Sequence, residues 1–140
     1  MKLKKTQKLL LIAVPQYALY IFFILNIIAM IVYPGSTYLD HSSKAYSFIN
    51  NFLSDLGRTL SFSGASNFLS CQLFNMALIL TGTVFVLFFI QLKNVFQDNR
   101  RMKILSIIGS VFGVLGGFCL AGVGLTPSDL YLDLHIIFAN

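Results

Sequence analysis

The sequence predicts an all-α protein, a polytopic transmembrane helix bundle with three complete spans and the start of a fourth. Of its 140 residues, 56% are hydrophobic and only 11% are charged, so polar side chains are too few to cover a water-facing surface. Three long apolar runs are separated by short charged segments, which is the pattern of helices that cross a bilayer. We therefore treat residues 1–140 as a single membrane domain.

The three runs cover about residues 9–33, 68–92 and 104–125. At roughly 1.5 Å per residue, each is long enough for a ~30 Å hydrocarbon core. The first run follows a basic amino terminus, as a signal peptide does, but it exceeds the ~7–15 apolar residues of such a peptide. It ends in the turn sequence Tyr33-Pro34-Gly35. Each run is predicted to be a transmembrane helix.

A fourth helix is predicted to begin at Pro127, so that about residues 127–140 form its first part. Thr126 suits the N-cap, Pro127 the first helical position, and Asp129 the third position after the cap. The residues that remain cover only part of a bilayer. We expect the chain to be a fragment of a longer protein.

The segment 45–58, which contains YSFINNFLSDLGR, has polar and apolar side chains at helical spacing. Asn51, Asp55 and Arg58 recur three and four residues apart on the side opposite Phe48 and Phe52. The pattern predicts an amphipathic helix that lies at the outer membrane surface, with its polar face toward water or neighbouring loops.

Basic residues predict the orientation and the partners of the chain. Eight of the ten Lys and Arg residues precede the first run or separate the second run from the third: Lys2, Lys4, Lys5, Lys8, Lys93, Arg100, Arg101 and Lys103. Only Lys44 and Arg58 lie elsewhere, so the amino terminus is predicted to be cytoplasmic in a cell-membrane protein. Because the positive charge lies at the ends of apolar runs, we expect membrane lipids as partners and no nucleic acid.

Small residues recur every fourth position in the third run: Gly109, Gly113, Gly117 and Ala121. Such a row lets another helix backbone approach closely, within the chain or between copies in a homo-oligomer. A phosphate-binding loop is the disfavoured alternative, because no strand precedes the row and it has no lysine. Cys71 and Cys119 lie inside apolar runs and predict packing, not a disulfide.

A first run that ends in YPG, the segment YSFINNFLSDLG, and a Pro-x-Asp followed by His together resemble the integral membrane family called domain of unknown function 998. The resemblance covers nearly the whole chain and implies a bundle of about six transmembrane helices. It places the family's Ser-Asp/Glu-Leu-Gly motif at residues 54–57 and its later motif at Pro127, Asp129 and His135. The chain ends at Asn140, so the later helices of such a bundle are missing. The resemblance implies a fold and no activity.

The predicted outer face collects titratable and polar residues, namely Asn51, Ser54, Asp55, Arg58, Asp129, Asp133 and His135. Ser54, Asp55 and His135 are the candidate catalytic residues, since a serine, an acid and a histidine are the ingredients of nucleophilic catalysis. Asp55 and His135 are also candidate ligands for a divalent metal, the one cofactor considered, which would activate water. The structural alternative pairs Asp55 with Arg58 and makes Asp129 a helix cap.

Three classes of function are compatible with the sequence. A helix-bundle protein with an outer polar site, acting as a scaffold or through lipids, needs only the amphipathic segment and the glycine row. A membrane-embedded hydrolase of a lipid or lipid-linked substrate needs Ser54, Asp55 and His135 to converge. A transporter would use polar groups at mid-membrane depth, for which Gln16, Asn26 and Asn75 are candidates.

Overall fold

The computed structural model describes residues 5–97 and 99–140, and within these ranges it is all-helical. The helices are α1 (Lys5–Val32), α2 (Phe68–Leu92), α3 (Arg100–Leu125) and α4 (Leu132–Ala139), with a short 3-10 helix at Leu53–Gly57. Helices α1, α2 and α3 are each long and apolar enough to cross a membrane, which confirms the predicted fold class. Lys2 and Lys4, on which the predicted orientation partly depends, lie outside the described residues.

Helix α1 begins before the predicted boundary and includes one wide turn. Leu9–Ala13 form a π-helical turn in which the Val14 N–H donates to the Leu9 carbonyl. Pro15 follows directly, and a proline ring in a regular helix clashes with the carbonyl four residues earlier. The widened turn accommodates Pro15 without ending the helix.

Helix α3 also begins earlier than predicted, at Arg100 instead of about residue 104. The Asn99 side chain accepts hydrogen bonds from the backbone N–H groups of Arg101, at 2.9 Å, and Met102, at 3.2 Å. Asparagine is among the best N-cap residues, so the sequence carried this signal directly before the basic residues. Arg100, Arg101 and Lys103, which were predicted to lie between the second and third runs, form the first turn of the helix.

The predicted start of the fourth helix is wrong, because α4 begins at Leu132. The Thr126 hydroxyl donates to the Gly122 carbonyl at 2.8 Å, so Thr126 belongs to the end of α3 and caps no following helix. The Pro127 carbonyl accepts from the N–H groups of Leu130 and Tyr131, which closes a tight turn. A residue before proline is disfavoured in the helical region, and Thr126 accordingly has φ −123° and ψ 78°.

Helices α2 and α3 pack closely along the small residues of α3. A Cβ on Gly117 would lie 2.9 Å from the Gly82 carbonyl oxygen, and a Cβ on Gly113 would collide with the Phe89 ring. A Cβ on Gly82 would lie 3.0 Å from the Ala121 Cβ. Gly109, in contrast to the prediction, faces open space. The close contact between the two helices therefore begins at Gly113, one helical turn after the first small residue of the row.

One hydrophobic cluster joins α1, α2 and the long connection between them. Its buried members are Ala29, Tyr33, Leu56, Phe74 and Leu78. Leu56 belongs to the connection and is fully buried. The connection between α1 and α2 therefore contributes to the bundle core.

Candidate functional site at the long loop and the turn after α3

The connection of residues 33–67, called the long loop here, does not contain the predicted amphipathic helix. A turn at residues 48–50 is followed by the 3-10 helix Leu53–Gly57. The Asn51 side chain accepts from the Ser47 N–H at 3.0 Å, and the Ser47 hydroxyl accepts from the Asn50 N–H at 3.3 Å. Such local side-chain bonds offer the backbone an alternative to the helix. The helix prediction for residues 45–58 was therefore wrong.

The polar side chains of this segment turn toward the rest of the loop, and three of its apolar side chains are exposed. Phe48, Ile49 and Phe52 are 80%, 92% and 74% exposed, whereas Asn51 and Asp55 are 8% and 4% exposed. The apolar side chains point away from the protein, and the polar side chains point into it. The polar side of the segment thus faces the rest of the loop, as at Asn51 and Ser36, although the predicted helix is not formed.

Asn51 and Ser36 hold the buried centre of the long loop. The Asn51 side-chain amide donates to the Ser36 carbonyl at 3.1 Å and to the Asp55 carboxylate at 3.0 Å. The Ser36 hydroxyl accepts from the Ser63 N–H at 3.1 Å, and the Ser36 N–H donates to the Ser43 carbonyl at 2.6 Å. These bonds connect four separate parts of the loop, so the loop is a folded unit despite its lack of regular structure.

Asp55 stabilises the start of the 3-10 helix. One oxygen of its carboxylate, Oδ2, accepts both from the Asn51 side chain and from the Phe52 N–H, the latter at 2.9 Å. Arg58, the expected partner, instead lies over the Phe62 ring at 4.2 Å and donates through Nε to the Leu60 carbonyl at 3.1 Å. The predicted Asp55–Arg58 pair is therefore not formed.

Polar side chains at the start of α2 satisfy the carbonyl groups that follow Asp55. The Asn67 amide donates to the carbonyls of Leu56, at 3.0 Å, and Arg58, at 2.8 Å. The Gly57 carbonyl accepts from the Cys71 thiol at 3.2 Å and from the Asn75 amide at 3.3 Å. Irregular backbone is tolerated at membrane depth only where its polar groups are satisfied inside the protein.

Gly57 allows the long loop to penetrate into the bundle. A Cβ at Gly57 would lie 2.7 Å from both the Asn75 side chain and the Phe74 ring, so no larger residue fits without displacement. Asn75 is seven residues beyond Phe68, the first residue of α2, which corresponds to about 10 Å of helix. The 3-10 helix thus contacts α2 about two helical turns in from the first residue of α2.

Asp129 connects the turn after α3 to the long loop. Its carboxylate accepts from the Thr59 N–H and the Leu60 N–H, each at 3.0 Å, and from the Thr59 hydroxyl at 2.6 Å. Burial raises the pKa of Asp129, but these hydrogen bonds outweigh burial and hold the pKa below its ordinary value of 3.8. Ionised Asp129 therefore joins two segments that are 70 residues apart in the chain.

His135 is buried beside the same turn. Its Nδ1 lies 2.6 Å from the Thr126 carbonyl oxygen, and the residue is 8% exposed. A carbonyl oxygen only accepts hydrogen bonds, so Nδ1 carries the proton in this contact. His135 thereby connects α4 to the end of α3.

The predicted outer-face residues are thus brought together only in part. Asn51 contacts Asp55, and Asp129 binds the segment directly after Arg58. Across residues 5–97 and 99–140, no hydrogen bond joins Asp55 to His135, and no group of three or more His, Cys, Asp or Glu side chains could hold a metal ion. Ser54 is half-buried beside Asp55, and Asp133 is exposed on α4.

Several residues that organise this region were not identified in the sequence. Ser36, Thr59 and Asn67 contribute through hydrogen bonds to distant parts of the chain, and such bonds have no periodic pattern in the sequence. The sequence did carry one signal, because Ser70, Cys71 and Asn75 place polar side chains in the first turns of an otherwise apolar run. Those side chains face the long loop.

No protein family, curated protein or solved structure was found to match this chain.

We expect Asp55→Ala to destabilise the protein more than Asp55→Asn. Asparagine keeps one side-chain oxygen, which is enough for both bonds that Oδ2 accepts, whereas alanine leaves the Phe52 N–H and the Asn51 amide without this acceptor. An unsatisfied buried donor costs about 1–3 kcal/mol. Thermal unfolding in detergent measures both variants. Equal losses would show that the negative charge, and not the acceptor, holds the 3-10 helix.

Proposed function

We propose that this chain is a multi-pass protein of the cell membrane that works by binding at its surfaces and not by catalysis. The observation that carries the proposal is the polarity of the long loop. Its buried carboxylate, Asp55, is used by the loop's own backbone, while Phe48, Ile49 and Phe52 are exposed. Around the 3-10 helix the loop therefore offers a partner apolar surface, while its exposed charged and titratable side chains, Asp40, His41 and Lys44, lie in its first part.

The resemblance to the family called domain of unknown function 998 belongs to the same proposal. Residues 54–57 form most of the 3-10 helix, and Pro127 and Asp129 form the turn that binds the long loop through Thr59. The two motif segments therefore belong to one structural unit. This arrangement supports the interpretation that both motifs stabilise the fold, and it carries no information on an activity.

The hydrolase alternative finds no specific support in the geometry. Asp55 and His135 have different hydrogen-bond partners, and His135 uses Nδ1 to contact a backbone carbonyl. A triad would need a base within hydrogen-bond distance of Ser54. A divalent metal bound by Asp55 and His135 would need the two side chains to converge on one ion, with each ligand atom about 2.0–2.2 Å from it.

The transporter alternative depends on polar groups inside the helices, and those groups have local partners. Gln16 donates to the Tyr20 hydroxyl at 2.9 Å, and Asn26 donates to the Phe22 carbonyl at 2.8 Å, both within α1. Asn75 donates to the Gly57 carbonyl. These contacts favour structural roles for Gln16 and Asn75, whereas the buried Oδ1 of Asn26 has no hydrogen-bond partner among the described residues.

Membrane lipids remain the partners that we propose, and nucleic acid is not among them. Exposed apolar side chains cover the described parts of α1, α2 and α3, as a lipid-facing surface requires. The glycine row was a candidate interface for a homo-oligomer. Gly113 and Gly117 are already covered by α2 of the same chain, so self-association would need another face.

The proposed orientation places the amino terminus in the cytoplasm and the long loop outside. In a background without native cysteines, Lys44→Cys should react with an impermeant maleimide added to intact cells. Gln97→Cys, in the connection between α2 and α3, should react only after lysis. Both side chains are exposed, so burial does not limit either reaction. The opposite labelling pattern would invert the proposed topology.

The non-catalytic role is tested with a fluorophosphonate, which forms a bond to an activated serine oxygen and releases fluoride. We expect no modification of Ser54 in the purified, lipid-embedded protein, as measured by peptide mass spectrometry. A serine hydrolase treated in parallel is the positive control. Modification of Ser54 that disappears in His135→Ala would overturn the proposal in favour of the hydrolase.

A further inference from the structure

We propose that the groove between α2 and α3, at the end of the bundle opposite the long loop, binds one anionic phospholipid. The groove has a volume of about 290 Å³. Its walls are mainly aliphatic and comprise Ile90, Ile107, Val111, Val114 and Leu115. Lys93 and Ser110 supply the polar atoms of the lining.

The size and lining of the groove fit part of a lipid molecule. Ligand sites usually measure about 300–1,000 Å³, so this groove lies at the small end of the range. Aliphatic walls suit an acyl-chain segment, which leaves the headgroup at the mouth beside Lys93. The occupant is therefore amphipathic, with its polar end toward the connection between the two helices.

The charge around the mouth selects the headgroup. Lys93 directly follows α2, and Lys103 lies one helical turn before Ile107 on the same face of α3. Arg100 and Arg101 belong to the first turn of α3. In sequence, Asp98 is the single acidic residue of the connection. Basic pockets between transmembrane helices of this kind attract anionic lipid headgroups.

Ser110 adds a polar group that has no partner inside the protein. Ser106, one turn earlier, donates to the Lys103 carbonyl at 2.8 Å, which is a common way to satisfy a helical serine. The Ser110 hydroxyl is buried and has no hydrogen-bond partner in the structure, although Ser110 lines the groove. In the proposed complex this hydroxyl donates to an oxygen of the bound lipid, since a serine O–H is a donor.

The experiment measures thermal stabilisation of the full chain in detergent by added phospholipid. Phosphatidylglycerol should raise the melting temperature in a saturable way, because a ligand that binds the folded state stabilises it. Phosphatidylcholine with the same acyl chains, and inorganic phosphate, should not. Equal stabilisation by the two phospholipids, or stabilisation by inorganic phosphate alone, would overturn the proposal.

Matched variants separate the groove from general attraction to a basic surface. Lys93→Gln should weaken the apparent affinity for phosphatidylglycerol about fivefold, since one basic residue near the headgroup is worth about 1 kcal/mol. Lys44→Gln removes an exposed lysine from the long loop and should leave the affinity unchanged. Equal effects of the two substitutions would refute the assignment to the groove.

Filling the groove provides a second, independent test. Val114→Trp should abolish saturable stabilisation, whereas Phe112→Trp, at a position 70% exposed on the same helix, should retain it. Full binding by a folded Val114→Trp protein would show that the lipid lies elsewhere. If Val114→Trp does not fold, Ser110→Ala replaces it and is expected to weaken binding; unchanged binding would remove Ser110 from the site.

Discussion

Gly117→Leu is expected to destabilise the bundle severely, whereas Gly116→Leu is expected to be tolerated. A Cβ at Gly117 would lie 2.9 Å from the Gly82 carbonyl oxygen and 3.0 Å from the Val86 backbone nitrogen, so the backbone of α2 itself blocks a side chain there. A Cβ at Gly116 meets nothing within 4 Å. Overpacking costs about 1–3 kcal/mol even where side chains can adjust, and a contact with backbone leaves less room for adjustment.

The comparison is well controlled because the two glycines are neighbours on one helix and receive the same substitution. Leucine also has a higher helix propensity than glycine, which is roughly 0.8–1 kcal/mol less favourable than alanine, so any intrinsic effect at Gly116 should be neutral or favourable. Thermal unfolding and the yield of folded protein in detergent are the measurements. Similar losses in both variants would show that α2 and α3 do not pack along this face.

Asp129→Asn is expected to release the turn after α3 from the long loop. Both carboxylate oxygens accept hydrogen bonds from Thr59 or Leu60, and an amide nitrogen in place of one oxygen would face a donor. Oδ2 alone accepts from all three donors, so the main loss is the charge, and hydrogen bonds to a charged group are worth about 1.5–3 kcal/mol against about 0.5–1.5 kcal/mol for neutral ones. We expect a lower melting temperature and faster proteolysis of the long loop.

Asp133→Asn is the control for this prediction. It removes the same charge four residues later, from an exposed side chain on α4. Stability and proteolysis should remain those of the original protein. If the two variants behave alike, the contact between Asp129 and Thr59 does not stabilise the loop.

The same contact predicts a dependence on pH. Because the pKa of Asp129 in the folded protein lies below its ordinary value of 3.8, ionised Asp129 stabilises the fold above that value. The stabilisation is lost as the pH falls below 3.8 and through the lower pKa of the folded state. The difference in melting temperature between the original protein and Asp129→Asn should be constant near neutral pH and should shrink below about pH 4. A difference that stays constant into this acidic range would show that the carboxylate charge is not involved.

The amino-acid sequence was enough to predict the class of protein and the approximate positions of the long helices. Runs of more than twenty apolar residues must be helical in a bilayer, because only a helix satisfies every backbone group within one segment. The second span was predicted at about residues 68–92 and is observed at Phe68–Leu92. The small residues at Gly113 and Gly117 likewise indicated a close helix contact, since the absence of a side chain is a property of the residue itself.

The conformation of the long loop depends on contacts that form only when the chain folds. Residues 45–58 have helical periodicity, but the bonds from Asn51 to Ser36 and from Asn67 to the Leu56 carbonyl replace helical hydrogen bonds. Those partners are 15 and 11 residues away in the chain, and no local pattern encodes contacts of that kind. Pairing across 70 residues, as between Asp129 and Thr59, depends on how the helices bring the two segments together. The sequence therefore fixes which residues carry polar groups, and packing of the bundle decides which backbone groups those residues bind.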